Sequence, residues 1–511
     1  MKRIKLILER WGLHAFLLPI FFVIHSYQQY YGLVSQTVAM KSGLAILLAT
    51  VVLFIIMQAL TKHVDRSLQL VTLYSFIFLF FGVIKDFLEL SLHIPLITKY
   101  SILLPVTAAI AILFTWSLLR KKNFRTTNLF QNTLLLIFLI IDAVRLLTFE
   151  HSTDLHKNLL IKNVPLETIK SAPTVRPDIY FLVFDSYPGT SFLSEFMNYD
   201  NSSFNKQLED KGFYVVKNPT SNYNRTAFSI ASTLNFAYLS NFKTHDYISA
   251  KNYAEANLTI KEAIVPKFLE QHGYTLYNLS VFDIDTITPL RRETFLTMTE
   301  QDVFLYNTLF QRIKKDLLWN LLVGRHANGF AQNIFAESKE DFKKEQYQKK
   351  SFNITVIDSL SKIPSHKTAS PKFVYAHLYL PHPPFFYDEN GNENDTDYIM
   401  TEASLENKEL FLSYLRYTNK VIIQLINRID NSSNESAVIV IQSDHGFRDF
   451  SGWQNHPEYF FTNYSAFFFP DKNYSTLYDT LSNVNTFPVI LNKFFKTNIP
   501  PKKDSCIFLK N

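Results

Sequence analysis

The sequence predicts an α-helical transmembrane bundle followed by an α/β domain whose mostly parallel sheet is sandwiched by helices. Three observations carry this. Five apolar stretches crowd into the first 150 of 511 residues. Beyond residue 176, apolar runs of strand length alternate with helical stretches, as buried parallel strands and covering helices do. Several of those runs stop abruptly on acids or histidines, at the strand ends where open α/β sheets bind their ligands.

The bundle comes first. Its stretches are Trp11–Ser26, Ser42–Leu60, Val71–Leu88, Tyr100–Leu119 and Asn132–Phe149. A helix needs about 20 apolar residues to cross the hydrocarbon core, which the second and fourth meet comfortably. Lys85 and Asp86 sit near the end of the third, where charged tips reach the interface. His14 and Pro19 interrupt the first, and Tyr27, Tyr30 and Tyr31 extend it as an interfacial belt. A cleaved signal peptide is the alternative for that segment, but no small-residue cleavage site follows. Lys and Arg precede segment one (Lys2, Arg3, Lys5, Arg10) and fill the loops after segments two (Lys62, Arg66) and four (Arg120, Lys121, Lys122, Arg125). The positive-inside rule therefore puts the N-terminus in the cytoplasm, and five crossings leave everything after residue 150 outside. Asp142 and Arg145 are three apart in segment five and share a helix face, so an intramembrane ion pair or a functional site is expected there.

The expected division is a transmembrane domain over 1–150, a linker over 151–176 and an extracytoplasmic catalytic domain over 177–511. Net charge is +6, but the cations cluster beside apolar segments, which points to a bilayer and not to nucleic acid. Cys506 is the single cysteine, so no disulfide forms within the chain and no cysteine-rich metal site exists. Abundant Asn, Lys, Ile and Phe suggest AT-rich coding, as in many bacteria.

In the second domain, Asp178–Asp185 reads as a buried strand ending in an acid. Ser191–Glu209 has helical spacing. Lys261–His272 reads as a helix, Tyr274–Val281 as a strand, Ser351–Lys362 as a helix and Phe373–Leu380 as a strand. Leu405–Ile429 is a long helix leading into Ala437–Gln442, a strand that stops at Ser443-Asp444-His445-Gly446. The carboxylates and imidazole are a good ligand set for a divalent cation. His377, and His382 before two prolines that fix a rigid turn, bring imidazoles to a third strand end. Thr226 opens an apolar helix after a hydroxyl-rich turn. A helix N-terminus favours anions there, and a cation on its oxygen makes a threonine nucleophilic at neutral pH. A simple N-cap is the plainer role.

Together these pieces resemble the alkaline phosphatase/sulfatase superfamily, in the membrane-anchored branch of lipoteichoic acid synthases and lipid A phosphoethanolamine transferases. The resemblance implies an alkaline-phosphatase-like fold. Asp185 (in Asp185-Ser186-Tyr187) matches the first strand's acid. Thr226-Ala227-Phe228-Ser229 looks like the transferases' Thr-Ala-x-Ser, and Asp444-His445-Gly446 matches their Asp-His-Gly. His382-Pro383-Pro384-Phe385 matches a His-x-Pro-Phe-type segment that touches substrate or a second metal. In the family, the first acid, the nucleophile and the Asp and His of Asp-His-Gly hold one ion. The implied metal ligands are thus Asp185, Thr226, Asp444 and His445. The ion is usually zinc or manganese, with calcium and magnesium as alternatives. Arg225, Arg448 and His456 are candidates for phosphate or second-metal contacts. The sulfatase motif Cys/Ser-x-Pro-x-Arg is absent, and so are the disulfides usual in phosphoethanolamine transferases.

The resemblance implies a metal-dependent phosphotransferase outside the cytoplasmic membrane. It moves a phospho-headgroup from a membrane lipid donor to a glycan or lipid hydroxyl of the envelope, through a phospho-threonine on Thr226. His382 holds a phosphate oxygen or protonates the leaving group. Phosphoester or sulfate-ester hydrolysis is the alternative within the family, and an inactive membrane scaffold the alternative from another class. Phe295–Gly324, with Leu305, Phe310, Arg312, Lys314, Leu318 and Trp319, reads as an amphipathic element on the membrane or as a helix packed on the sheet.

Overall fold

The computed structural model describes all residues except 1, 32, 93, 95, 151–158, 162–168, 174, 292–298, 315–335, 367, 434–435, 451, 453–454 and 511. The chain divides into two compact units. One comprises Met1–Lys157 with Met298–Leu321, and the other Asn158–Thr297 with Leu322–Asn511.

The first unit is helical: α1 (Lys2–Arg10), α2 (His14–Gln29), α3 (Gln36–Thr61), α4 (Val64–Asp86), α5 (Tyr100–Arg120) and α6 (Arg125–Glu150). Among the described residues, four helical spans are long and apolar enough to cross a membrane: Gln36–Thr61, Val64–Glu89, Tyr100–Arg120 and Arg125–Leu146. The remaining expected stretch, Trp11–Ser26, falls on α2 and the turn before it. At 1.5 Å per residue, the 16 residues of α2 rise about 24 Å, short of the roughly 30 Å hydrocarbon core. Helices α3 and α5 carry exposed Leu44, Leu48, Ile55, Ile112, Leu113 and Trp116, apolar surface that suits lipid better than water.

Helix α2 packs against α3, α4 and α6. Its start is held by a buried polar knot. His14 Nδ1 meets Thr72 Oγ1 at 2.5 Å, and His14 Nε2 meets Asn128 Oδ1 at 3.1 Å and Gln69 Nε2 at 3.0 Å. Near its end, His25 Nδ1 lies 2.9 Å from Asp142 Oδ2. Asp142 therefore has an interhelical partner in His25, beyond the same-face Arg145 that its spacing suggested.

The stretch Met298–Leu321, placed with the second domain by its sequence position, groups with the helical unit. Its short helices Glu300–Phe304 and Leu309–Ile313 pack on α3 and α4 respectively. Gly82 N donates to Asn307 O at 2.8 Å, an approach that a Cβ on Gly82 would obstruct. Arg312 is buried, pairs with Asp86 and stands 3.9 Å over the Tyr306 ring. Arg312 is thus a packed ion-pair partner, not a surface cation. Leu318 and Trp319 lie outside the described residues, as does most of the expected linker.

The second unit is built on a six-stranded sheet of β1 (Ile179–Phe184), β2 (Tyr214–Val215), β3 (Thr275–Leu279), β4 (Lys372–Leu378), β5 (Val438–Gln442) and β6 (Ser465–Phe468). The order is β2-β6-β5-β1-β4-β3. The four strands β5, β1, β4 and β3 run parallel, and β6 and β2 add an antiparallel edge. Every residue of β1, β4 and β5 is buried, which is why these strands read as unbroken apolar runs and not as alternation. The expected helix over Ser191–Glu209 is instead a wide turn at Phe192–Phe196 followed by α7 (Ser202–Asp210). The helix before β4 is longer than its pattern suggested, Ala336–Lys362, and the one before β5 spans Lys408–Ser433.

Candidate metal centre and nucleophile

Register fixes the site. Val183 of β1 lies opposite His377 of β4 and Gln442 of β5, so the three central strands end together. Asp185 follows β1, His377 is the penultimate residue of β4, and Ser443-Asp444-His445 follows β5. The turn after Asp185 is held by Ser186, whose φ of 61° is left-handed, a costly state for a residue with a Cβ. It aims Ser186 N at Asp444 Oδ1 (3.1 Å) and brings Tyr187 N to Ser443 Oγ (2.9 Å).

The hydroxyl arrives on α8 (Thr226–Leu234), all nine residues of which are buried. Ser229, one turn on and on the same face, donates to Asp444 O at 2.5 Å. That bond explains the Thr-x-x-Ser spacing: one hydroxyl fastens the helix to the Asp444 loop and the other points at the site. Thr226 Oγ1 lies 3.2 Å from His445 Nε2.

Asp185, Asp444 and His445 each offer one ligand atom, and these lie within 4.8 Å of one another. His445 Nε2 is 3.3 Å from Asp444 Oδ2 and 3.7 Å from Asp185 Oδ1. His445 Nδ1 is 2.8 Å from Gly446 O. A carbonyl only accepts, so Nδ1 carries the proton and Nε2 presents a lone pair. Three electron-rich atoms thus face one another in the protein interior. Asp444 Oδ2 is buried and accepts no hydrogen bond, and His377 Nε2, 3.9 Å from Asp185 Oδ2, is also unbonded. The donor set and these orphaned atoms fit a divalent cation.

The electrostatics agree. Burial and the charge of Asp185 push the Asp444 carboxyl up to about 6. Burial raises Asp185, but His382 and then His377 beside it hold its carboxyl below the usual range. Asp185 is therefore the ionised member of the pair. Burial, then Arg448, lowers His445 to about 3, so its imidazole is neutral. Two carboxylates this close share a proton unless a cation replaces it.

His382 is partly exposed and feels Asp185 directly; burial lowers its pKa. Its Nδ1 is 2.6 Å from Pro383 O, which leaves Nε2 for a ligand. Asn353 brackets the preceding Tyr379, accepting from its N (2.8 Å) and donating to its O (3.0 Å). Phe385 and Phe386 anchor the other side in the core. Arg225 and Arg448 are neighbours. Arg448 Nη1 donates to Asn224 O at 2.7 Å, and burial plus Arg448 lowers Arg225 to about 10. His456 is not brought to the cluster. It is partly exposed, stacks on Tyr459 and pairs with Glu458 at 3.1 Å.

Lys349 and Asp449 were not singled out from the sequence. Both act electrostatically on His382, and Lys349 lies buried with Nζ 5.5 Å from the Tyr379 ring centroid. Lys349 sits in a lysine-rich helix where nothing local distinguishes it. Asp449, five residues past Asp444, carried only its proximity as a signal.

A family model described as Sulfatase matches residues 189–487. No curated protein sequence matches the chain. Among solved structures, the chain is similar to the C-terminal periplasmic domain of EcEptC from Escherichia coli. The identity is 14% and the TM-score 0.39, over 68% of this chain and 94% of that one. A complex of that domain with Zn matches at 13% identity and TM-score 0.39, over 66% and 90%. The soluble domain of lipooligosaccharide phosphoethanolamine transferase A from Neisseria meningitidis matches at 12% and 0.35, over 65% and 93%. Because the family model spans more than half of the sequence, this chain belongs to the sulfatase family, and it is an enzyme of phosphoester or sulfate-ester transfer or hydrolysis.

Proposed function

We propose that the protein is a metal-dependent phosphotransferase of the cytoplasmic membrane. It takes a phospho-headgroup from a lipid donor and delivers it to a glycan or lipid hydroxyl outside the membrane. The observation that carries this reading is the Thr226 hydroxyl, 3.2 Å from His445 Nε2 at the mouth of the Asp185–Asp444–His445 cluster. A cap would need no such cluster beside it.

Asp185, Asp444, His445 and Thr226 hold the cation, with zinc or manganese best suited to this mixed oxygen and nitrogen set. When bound, the ion neutralises phosphoryl charge and eases ionisation of the threonine hydroxyl. Thr226 Oγ1 attacks phosphorus. The new Oγ1–P bond forms as the donor's ester P–O bond breaks, and the leaving oxygen gains the proton that Thr226 gives up. In the second half-reaction an acceptor hydroxyl attacks, the Oγ1–P bond breaks and Thr226 regains a proton. His382 exchanges protons with the leaving and entering oxygens through Nε2. Arg225 and Arg448 balance charge on the phosphoryl oxygens.

The helical unit tethers the catalytic unit to the membrane that holds the donor. In this reading α2 crosses with the four longer helices, the N-terminus is cytoplasmic, and 177–511 is extracytoplasmic. The test is single turnover on a phosphodiester, with the protein digested and Thr226 examined for phosphate by mass spectrometry. Phosphate on Thr226 in wild type, absent after chelation, supports the reading. Turnover by Thr226→Ala equal to wild type sinks it. Lipid extracts with and without the protein separate transfer from hydrolysis.

A further inference from the structure

The second unit contains a cavity that none of the strand-end residues lines. It opens between the segment 199–207 and the helix Lys408–Ser433, with a volume of about 390 Å³. That is within the range of small-molecule sites, roughly 300–1,000 Å³.

Its floor is two buried amides, Asn201 and Asn419. They form a closed ring with the Tyr187 hydroxyl. Asn201 Nδ2 donates to Tyr187 Oη (2.9 Å), Tyr187 Oη donates to Asn419 Oδ1 (2.5 Å), and Asn419 Nδ2 donates to Asn201 Oδ1 (2.9 Å). The ring fixes both amides in orientation. Each amide nitrogen has two N–H groups and spends one on the ring. Gln207 and Gln424 add two more primary amides to the walls.

The charges around the cavity cancel. Asp200 and Glu389 face Arg416 and Lys420. The cations are also already engaged: Arg416 pairs with Glu389 and Glu409, and Lys420 Nζ donates to Glu389 O at 2.7 Å. An anionic ligand would have to compete with two carboxylates for Arg416 and with a backbone carbonyl for Lys420. Tyr199 supplies a ring to one wall, 6.0 Å from the Arg416 guanidinium.

We propose that this cavity, floored by Asn201 and Asn419 and walled by Gln207, Gln424 and Tyr199, binds a neutral sugar unit of a glycan. Primary amides donate and accept at once, and so do sugar hydroxyls, which makes the two sets complementary. Charge cancellation selects against phosphate and free carboxylate, and the tyrosine ring suits the apolar face of a pyranose. Tyr187 links the cavity to the nucleophile's surroundings, because its backbone N donates to Ser443 Oγ at 2.9 Å, one residue before Asp444. The site goes beyond the proposed phosphotransfer, and its occupancy requires no turnover.

The test is saturation-transfer NMR on the full chain in a detergent without a sugar headgroup, with maltose, lactose and N,N′-diacetylchitobiose as probes. At least one disaccharide gives transfer to its ring protons. Gln207→Ala and Gln424→Ala each weaken it about fivefold, the loss of one hydrogen bond, and the double variant abolishes it. Both side chains are on the cavity wall outside the core, so folding is checked by an unchanged melting temperature. Thr226→Ala binds the sugar as wild type does, which separates this inference from the catalytic reading. Absence of transfer from all three sugars overturns the proposal. So does transfer unaffected by the double variant, or displacement of the sugar by inorganic phosphate.

Discussion

Thr226 Oγ1 and His445 Nε2 lie 3.2 Å apart although 219 residues separate them in sequence. One stands at the first turn of a buried helix and the other just past the end of a central strand. Ser229 closes the arrangement by bonding Asp444 O. The hydroxyl is therefore aimed by the same contact that fixes the acid's loop. Replacing Thr226 by Ala removes the oxygen and leaves Ser229 in place. Turnover of a phosphodiester should fall on the order of a thousandfold or more, with the fold retained by circular dichroism. Thr226→Ser keeps the oxygen and should retain measurable turnover. Equal losses in both variants would show that the hydroxyl is not the reacting group.

The acid pair predicts a pH signature in the metal-stripped protein. Asp444 is raised from the ordinary 3.8 to about 6 by burial and by Asp185. A raised folded-state pKa means the native state binds the proton more tightly than the unfolded chain. Its stabilisation is full below about pH 4 and is lost as pH rises through 6. The loss is at most about 3 kcal/mol. Thermal melts in chelator should therefore show lower stability at pH 8 than at pH 5 from this group, and added zinc or manganese should restore it. Asp444→Asn should remove both the slope and the response to metal. A melting temperature that responds to metal equally in Asp444→Asn would place the ion elsewhere.

Gly446 makes a prediction about the loop alone. A Cβ there would overlap Tyr459 O and meet Thr462 O at 2.6 Å, both backbone atoms, while Gly446 N donates to Phe460 O at 2.8 Å. Backbone cannot rotate away as a side chain can. Gly446→Ala should cost about 1–3 kcal/mol and weaken metal binding by displacing His445, measured by melts with and without the ion. Gly452 is the control. Its φ of +80° strains any substitution, but the added Cβ meets nothing. Gly452→Ala should cost about 1 kcal/mol and leave metal binding unchanged.

The parts of the site that the sequence made legible are those carried by local pattern. A strand buried on both faces is a continuous apolar run, so β1 and β5 announced themselves, and Asp185 and Asp444 stood out where the runs stopped. Thr226 stood out as the opening of an apolar helix. Lys349 and Asp449 did not, because a lone charge in a polar helix or loop carries no local mark of what it faces. The same limit explains His25 and Asp142. Helical spacing offered Arg145 as a partner on the same helix, whereas the bond to His25 depends on how two helices pack. The antiparallel edge was missed for a different reason: β2 is two residues and β6 four, too short to show a period.

Arg312 and Asp86 test the grouping of Met298–Leu321 with the helical unit. The Arg312 side chain is 4% exposed, and besides pairing with Asp86 its Nη1 donates to Tyr306 Oη at 3.1 Å. A buried guanidinium is tolerated here because Asp86 meets its charge and Tyr306 accepts from Nη1. Removing one partner of such a pair leaves the other uncompensated, at a cost of several kcal/mol, whereas replacing both with apolar groups is often nearly neutral. Arg312→Met and Asp86→Leu should each destabilise the full chain in detergent, and the double variant should recover most of the loss. Partial proteolysis is the readout, since release of 299–314 from α4 exposes new cleavage sites. Additive losses in the double variant, with no recovery, would mean that the two side chains are not coupled and that the segment is held by other contacts, Gly82 N to Asn307 O first among them.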